Sequence, residues 1–515
     1  MADRLERRNA DADPIWEASS LAISEHRRRQ LPEYEKLWAY YRNPLELVGA
    51  SGGVSAIGGS SGPGSWYRQG QEVGLPVRIK GRGHGPVGAG NGGRREVVVE
   101  NDIGWRVQTM VDFMFGHPVR FESLASDAPM RALAEGVIER VWEASGGIAL
   151  MQDMALLGHV FGHVDLLLRV DESKLMGPVG EAADAFTIEP IDPRRGVAMV
   201  SHEDYRELDG YAVHAEREIA VKGSERSGRA GNSASRAGRL FGGRALRGGQ
   251  GGRGGSPETK RSAVSEVFTS GERRVYRDGV LASSERSGVL ADAVPVVHIQ
   301  NVSQPFEYGG IGEVEPLVSL QDELNTRLSD RANRVTLQSF RMYLAKGVES
   351  FDAANVGPGM VWSTNNPDAS ISAFGGDLYN PGEESHIGEI REALDKVSGV
   401  PPVAGGVVRA KIGNLSSANA LRVTLMGLIA KTERKRVTYG RGMERVCGLI
   451  LRALDESGVI RIPESERGVR SVWPAYAFES ETDRLSAAAQ KRELGVDETR
   501  VLGELGYDEA DPGVV

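Results

Sequence analysis

Several groups of residues have the types and spacing that chemistry requires. Gly83-His84-Gly85-Pro86-Val87-Gly88 spells G-x-G-x-x-G, a pattern that holds a pyrophosphate only when a strand precedes it and a helix opens directly after it. The residues that follow, Ala89-Gly90-Asn91-Gly92-Gly93, cannot start a helix, so no cofactor is expected there. No G-x-x-x-x-G-K-[ST] segment is present, which argues against a nucleotide-driven motor. His159 and His163 stand at i, i+4, the spacing of two zinc ligands on one helix face. Gly162 and the β-like run after it oppose a helix, so the pair is read as structural and no metal site is expected. Cys447 is the single cysteine and shares an apolar stripe with Val446, Ile450 and Leu451, as a small buried hydrophobe would. Glu383-Glu384 is read as a solvated acidic pair near a helix start, where negative charge is favourable. No nuclease-like acidic cluster stands out, and no catalytic residue is expected.

The elements that would position these groups follow from hydrophobic period and breakers. Leu21 to Leu45 is helix-rich, with Leu37, Trp38, Tyr40 and Tyr41, and stops at Asn43-Pro44. Gly49 to Gly64 and Gly81 to Gly93 read as loops. Glu100 to Phe115 and Ala132 to Trp142 read as amphipathic helices, the first ending at Gly116-His117-Pro118. Ile148 to Leu157 is helical, Val160 to Val170 a strand, and short strands continue at Phe186 to Ile188, Gly210 to Ala215, Val264 to Phe268, Glu272 to Tyr276 and Val294 to Ile299. Within this region Lys222 to Arg261 is built from Gly, Ser, Ala and Arg, including Arg226, Arg229, Arg236, Arg239, Arg244, Arg247 and Arg253. It has too few apolar residues to order itself. One reading is an arm for nucleic acid or an acidic partner; the blander one is a flexible surface loop.

After Asn301 the chain is mainly helical. Glu315 to Leu344 reads as one helix with Leu317, Leu320, Leu324, Leu328, Val335 and Phe340 along one side and Asp322, Arg327, Asp330 and Arg334 on the others. Gly347 to Pro381 is non-helical, Glu383 to Ser398 helical, and Val400 to Ser416 a Pro/Gly loop. Ser417 to Leu454 reads as a second very long helix, capped by Ser416 or Ser417, with Gly427, Gly440 and Gly442 as weak points. The tail after Trp473 holds one or two short helices.

Composition sets limits on function. The chain has 515 residues, 40% of them hydrophobic and 26% charged, enough for about three or four packed units at roughly 150 residues each. No run of about 18 apolar residues exists, so no membrane span is expected, and the N-terminus lacks the apolar core of a secretory signal. A lone cysteine rules out an internal disulfide and fits folding in a reduced cytoplasm. The net charge of −9 opposes a tight, wrapping DNA binder, yet suits a surface that DNA slides past without sticking.

The order of these elements, from about Leu31 to Tyr507, resembles the portal proteins of tailed bacteriophages and of phage-like gene transfer particles. The resemblance is carried by Leu31 to Pro44 (LPEYEKLWAYYRNP), Asn101 to Pro118 (NDIGWRVQTMVDFMFGHP), the Phe-Gly-His step in Leu156 to Val164, Val294 to Asn301 (VPVVHIQN), Ser417 to Leu428 (SANALRVTLMGL) and Gly495 to Tyr507 (GVDETRVLGELGY). The most telling piece is Leu317 to Asn333 (LVSLQDELNTRLSDRAN), with Leu320, Gln321, Asn325, Asp330 and Asn333. The glycine clusters and the Arg/Gly insert depart from the pattern, and the short tail leaves little room for a large crown.

The resemblance implies an α+β subunit with an α+β wing, long stem helices, a small α/β clip and a short helical C-terminal crown, assembled as a ring, expected to be a dodecamer. Carried over by position, an N-terminal helical segment covers residues 1–45 and the wing 46–312. Residues 313–345 form the outgoing stem, 346–382 the clip, 383–399 the returning stem, 400–416 a tunnel loop, 417–455 the long wing/crown helix and 456–515 the crown and tail. Leu317, Leu320, Leu324, Leu328, Arg327 and Arg334 belong to the stem, and Val407, Val408, Arg409 and Lys411 to the tunnel loop facing DNA. The implied function is a non-enzymatic channel at one capsid vertex of the virion for packaging and ejection of double-stranded DNA. The implied partners are terminase, a head-tail adaptor, and the major capsid and scaffolding proteins, with no membrane. The leucine stripe, with no evident cover in its own chain, points the same way, since a closed head-to-tail ring supplies neighbours. A protein-only scaffolding adaptor is the competing class, and a DNA-processing enzyme a third.

Overall fold

The computed structural model describes residues 13–48, 54–55, 66–80, 96–176, 182–204, 207–220, 259–339, 342–346, 366–374, 381–406, 418–474, 476 and 481–505. The chain divides into two compact units, Met1–His26 with Arg195–Val294, and Arg27–Arg194 with Pro295–Val515.

In the first unit, helix α1 (Pro14–Arg29, all but its last turn) lies on a five-stranded antiparallel sheet. The strand order is Val280–Arg286, Glu272–Arg277, Thr259–Thr269, Leu208–Ala220, Gly196–Val200. The helix buries Ile23, with Ile15 and Trp16 beside it, against Val197, Ala212, Val267 and Tyr276. Asp13 fastens the helix start, accepting from Tyr276 Oη at 2.6 Å and from Arg274 at 2.8 Å. The two central strands run longer than their alternation predicts and pair up to Ala220 opposite Thr259. The Arg/Gly insert therefore leaves and re-enters the sheet at one point, so its length costs little in loop closure. Thr259 to Arg261, read with the insert, belong to the strand; residues 221–258 lie outside the described residues.

The second unit is built from helices around a three-stranded sheet. Helix α2 (Leu31–Arg42) ends at Asn43, which takes the left-handed conformation (φ 42°) just before Pro44. Helix α3 (Asp102–Phe115) is capped by Asn101, whose side chain accepts from Gly104 N at 3.0 Å. Helices α4 (Ala128–Ala144) and α5 (Gly147–Phe161) follow, each a few residues longer than its apolar period alone suggests. Gly162 then takes φ 92°, and a Cβ there would stand 2.2 Å from Gly310 O, so only glycine turns α5 into the next strand. That strand, His163–Val170, is central in its sheet, between Val296–Gln300 and Phe186–Ile191, and its first six residues are buried, His163 and Asp165 among them.

Helix α6 (Val318–Ser339) is preceded by a 3-10 turn, Glu315–Leu317, and packs antiparallel on α7 (Pro381–Ser398). Its 22 residues span about 33 Å. The longer helix expected to Leu344 stops early, because Met342–Lys346 pairs as a strand with Ser370–Phe374. The Met342-Tyr343-Leu344 run satisfies either period, and sheet pairing wins.

The leucine stripe is covered within the chain, contrary to expectation. Leu317 and Leu324 are fully buried and Leu328 nearly so, packed with Ile387, Ile390 and Leu394 of α7, Val107 of α3, Phe161 and Tyr40. Leu320 is partly buried on the same core. The stripe alone therefore does not call for neighbouring copies. Arg327 pairs with Glu323 at 2.7 Å and Asp330 at 3.8 Å on its own helix. Arg334 reaches across to Glu383, so Glu383, read as solvated, is half-buried and paired, while Glu384 is exposed.

The last long helix is bent rather than continuous. α8 (Ala418–Thr424) and α9 (Met426–Glu456) meet at Leu425, whose ψ of 0° interrupts the helix while its side chain seats against Met110, Val400 and Leu428. Gly442 is a point of close approach, not a weak point: a Cβ there would lie 2.3 Å from Ile299 of the three-stranded sheet. Cys447 is buried, with Trp142 Nε1 donating to Sγ at 3.4 Å and burial raising its thiol to about 12. Helices α10 (Glu481–Glu493) and α11 (Glu498–Leu505) close the chain.

Candidate functional site

The elements that would form a stem and a tunnel loop converge where α7 ends. Ser398 and Val400 leave the helix there, and Val400, Val403 and Ala404 pack with Trp105 and Met110 of α3 and with Leu421, Leu425 and Leu428 of α8–α9. The two chain segments that flank residues 407–417 are thus rooted in one apolar cluster on α3.

A buried arginine locks this root. Arg106 is 1% exposed. It donates to Asp102 Oδ2 (3.0 Å), one turn back on α3, and to Asp395 Oδ1 (2.7 Å) on α7. It also donates to Ser398 Oγ at 2.9 Å and to the Val400 carbonyl at 2.7 Å. The planar guanidinium fork suits this set of acceptors, which a lysine could not fill. Lys431 of α9 adds a second clasp, donating to the Ser398 carbonyl at 2.9 Å.

Lys431 also pairs with Glu313, which stands just before α6 and is 4% exposed. Lys435, one turn along α9 and 2% exposed, pairs with Glu313 at 2.7 Å. Burial pushes the Glu313 carboxyl up, but Lys435 and Lys431 outweigh it and hold the group at about 2. Burial drives Lys435 down to about 8 despite Glu313. His159 completes the cluster, with burial and then Lys435 pushing its imidazole down to about 3. Its Nδ1–H faces the Ala155 carbonyl, and its buried Nε2 meets no hydrogen-bond donor among the described residues, as suits a neutral ring.

These groups make the fold acid-sensitive. Glu313 has an ordinary value of 4.5, so its contribution is complete above that pH and is lost as pH falls towards 2. His159, ordinarily 6.5, stays neutral in the native state down to about 3, so the unfolded chain takes up its proton first and stability falls across that window. Thermal melts should therefore drop steadily from about pH 6.5 downwards, and His159→Gln should flatten the part of the drop above about pH 4.5. An unchanged acid profile in that variant would contradict the assignment.

A second polar arrangement explains the segment that carried most of the resemblance. Asn325, Ser329 and Asn333 lie one turn apart on α6 and bond to the backbone of an extended stretch before α3. Glu100 N donates to Asn325 Oδ1 (3.0 Å), Val98 N to Ser329 Oγ (3.0 Å) and Glu96 N to Asn333 Oδ1 (2.8 Å). Asn333 and Ser329 also donate back to the carbonyls of Glu96 and Val98. Gln321 extends the row, accepting from Ile103 N at 3.2 Å and donating to the Glu100 carbonyl. Four residues of helix rise about 6 Å and two residues of extended chain about 6.6 Å, so the two periods stay in step over three repeats. The helix acts as the neighbouring strand would.

The predicted site residues divide accordingly. Val407, Val408, Arg409 and Lys411 lie outside the described residues. Leu317, Leu324, Leu328 and Arg334 come together at the α6–α7 contact, with Leu320 and Arg327 at its margin. His159 and His163 share no site: His159 faces the Glu313 cluster, and His163 meets the rings of Tyr34 and His298 at a tilt and that of Tyr308 edge-on. Among the described residues no group of three His, Cys, Asp or Glu side chains is placed to hold a metal ion, and no helix is long and apolar enough to cross a membrane. Sequence reading missed Arg106, Asp395, Glu313, Lys431 and Lys435. The available signal was a charge inside an apolar face: Arg106 sits between Ile103, Val107 and Met110, and Lys435 between Leu428, Tyr439 and Met443.

Residues 266–501 match the family model described as phage portal protein, SPP1 Gp6-like. A comparison with the curated proteins finds no match. Among solved structures, the chain is similar to one described as the virion of a native gene transfer agent (GTA) particle, at 11% identity and a TM-score of 0.39, covering 78% of this chain and 89% of that one. It is likewise similar to the neck of an empty GTA particle computed with C6 symmetry, at 11% identity and a TM-score of 0.41, covering 79% and 90%. The stretch from residue 266 to residue 501, which takes in both antiparallel helices and the long α9, is thus the part of the chain that is similar to the phage portal family.

Proposed function

We propose that this chain is the ring-forming portal subunit at one capsid vertex, a non-enzymatic channel through which double-stranded DNA is packaged and ejected and on which terminase and a head-tail connector dock. The family match over residues 266–501 carries this reading. In it, α6 is the outgoing stem, α7 the returning stem, and the paired strands Met342–Lys346 and Ser370–Phe374 the clip. α9 runs through the wing and crown, and α10 and α11 form a short crown. Residues before Asn301 make most of the wing.

Two features support the channel. Glu384, Glu389 and Glu392 are exposed on α7, and among the described residues none of them forms an ion pair. An acidic wall repels phosphate and lets DNA move. Arg106 and Lys431 hold the chain at Ser398 and Val400, and in this reading Val407, Val408, Arg409 and Lys411 further on would face the passing DNA. With two cations per subunit at the narrowest ring, contact would be sequence-independent and salt-sensitive.

The test is Arg409→Ala with Lys411→Ala. The double variant is expected to assemble as wild type while particles built on it package or retain DNA measurably less well. Normal packaging and retention would remove the tunnel-loop role, leaving a protein-only adaptor as the better description of this region.

A further inference from the structure

Between Met426 and Leu451 the long helix α9 carries more cations than its acids can balance, and the structure sorts them by face. Lys431 and Lys435 turn inward to Glu313. Arg436 pairs with Glu433 at 3.2 Å and lies over the rings of Trp473 and Tyr476. The acids of this stretch are also engaged: Glu433 accepts from Tyr476 Oη at 2.7 Å, and Glu444 accepts from Ser471 N at 2.9 Å and Ser471 Oγ at 2.8 Å. Arg434, Arg441 and Arg445 remain. All three are exposed, and none has a carboxylate partner among the described residues.

Their spacing places them on one side of the helix, at i, i+7 and i+11. At 1.5 Å per residue they span about 16 Å, a length over which one DNA strand presents several phosphates. Val437, 52% exposed, is the one exposed large apolar side chain between Arg434 and Arg441, too little for the desolvated apolar centre of a protein interface. Gly448, in line with Arg441 one heptad on, has open space where a Cβ would be, so nothing holds a broad partner away. In a chain of net charge −9, these three arginines, without a carboxylate partner among the described residues, form a local concentration of positive charge on one helix.

We propose that Arg434, Arg441 and Arg445 form a phosphate-binding face for the backbone of double-stranded DNA, separate from residues 407–411. The proposal rests on the portal reading, and it adds a site where packaged DNA is held rather than passed. Arginine donates to phosphate oxygens in a fork, so the contact is sequence-independent and falls with salt.

The experiment measures binding of a short random-sequence duplex to the purified full-length protein by fluorescence anisotropy over a salt series. Wild type is compared with Arg434→Gln/Arg441→Gln/Arg445→Gln, and circular dichroism confirms that the fold is intact. Each lost phosphate contact lowers the slope of log affinity against log salt by about 0.9, so the variant is expected to be flatter by roughly 2–3 and at least about tenfold weaker at moderate salt. An unchanged slope and affinity, or no measurable binding by wild type, would overturn the proposal. So would loss of ring assembly in the variant alone, which would make the face a contact between copies. Failure of wild type itself to form rings would instead strike the portal reading.

Discussion

Replacing Arg106 by leucine is expected to lower the unfolding free energy by about 3–5 kcal/mol, the range for breaking one side of a buried ion pair. The cost arises from what is left behind. Asp102 and Arg106 are both buried, and Asp395, Ser398 Oγ and the Val400 carbonyl lose their donor together. Arg106→Lys is expected to recover less than half, because an ammonium cannot reach acceptors on both α3 and the end of α7 in the same plane. Urea unfolding of the purified protein would check this, with the midpoint falling and the slope unchanged. A loss within about 1 kcal/mol would show that solvent fills the site and that the root of the loop is not locked.

The second large effect is expected at Glu313. Glu313→Gln leaves Lys431 and Lys435 facing each other without their shared anion, beside a neutral His159, and should cost about 3–5 kcal/mol. Adding Lys435→Met should restore most of the loss. It removes the buried, now unpaired charge and replaces it with an apolar chain of similar length, against which Met110 already packs. The coupling between the two changes, read from a double-mutant cycle, should exceed about 1.5 kcal/mol. Additive losses would mean that Lys435 is paired elsewhere or already neutral.

These interactions also show which parts of the molecule can be read from sequence. The helix end at Asn43-Pro44 was legible because proline enforces it, but the strand expected from Val160 begins only at His163, since Val160 and Phe161 complete α5 and Gly162 makes the turn. The polar row Gln321, Asn325, Ser329, Asn333 is visible in the sequence as a pattern. Its purpose was not visible, because the partner is the backbone around Glu96 to Glu100, more than two hundred positions away in the chain. The stripe of Leu317, Leu324 and Leu328 was read correctly as apolar and wrongly as uncovered. What covers it, chiefly α7 and α3, is set by tertiary contact that periodicity does not encode. The early end of α6 has the same origin, since Met342 to Leu344 pairs with a strand beginning at Ser370. The buried charges were hidden for a related reason: a lysine on an apolar face reads as a solvated exception until its carboxylate arrives from another segment.

The proposed closure of the chain into a ring around a channel for duplex DNA rests on the family match and not on the leucine stripe. Negative-stain imaging of the purified full-length protein, with light scattering on the same sample, tests it most directly. The expected result is a closed ring of about a dozen copies with a central channel wide enough for double-stranded DNA, in keeping with a head-to-tail interface that closes. A stable monomer at micromolar concentration, or an assembly with no central opening, would contradict it.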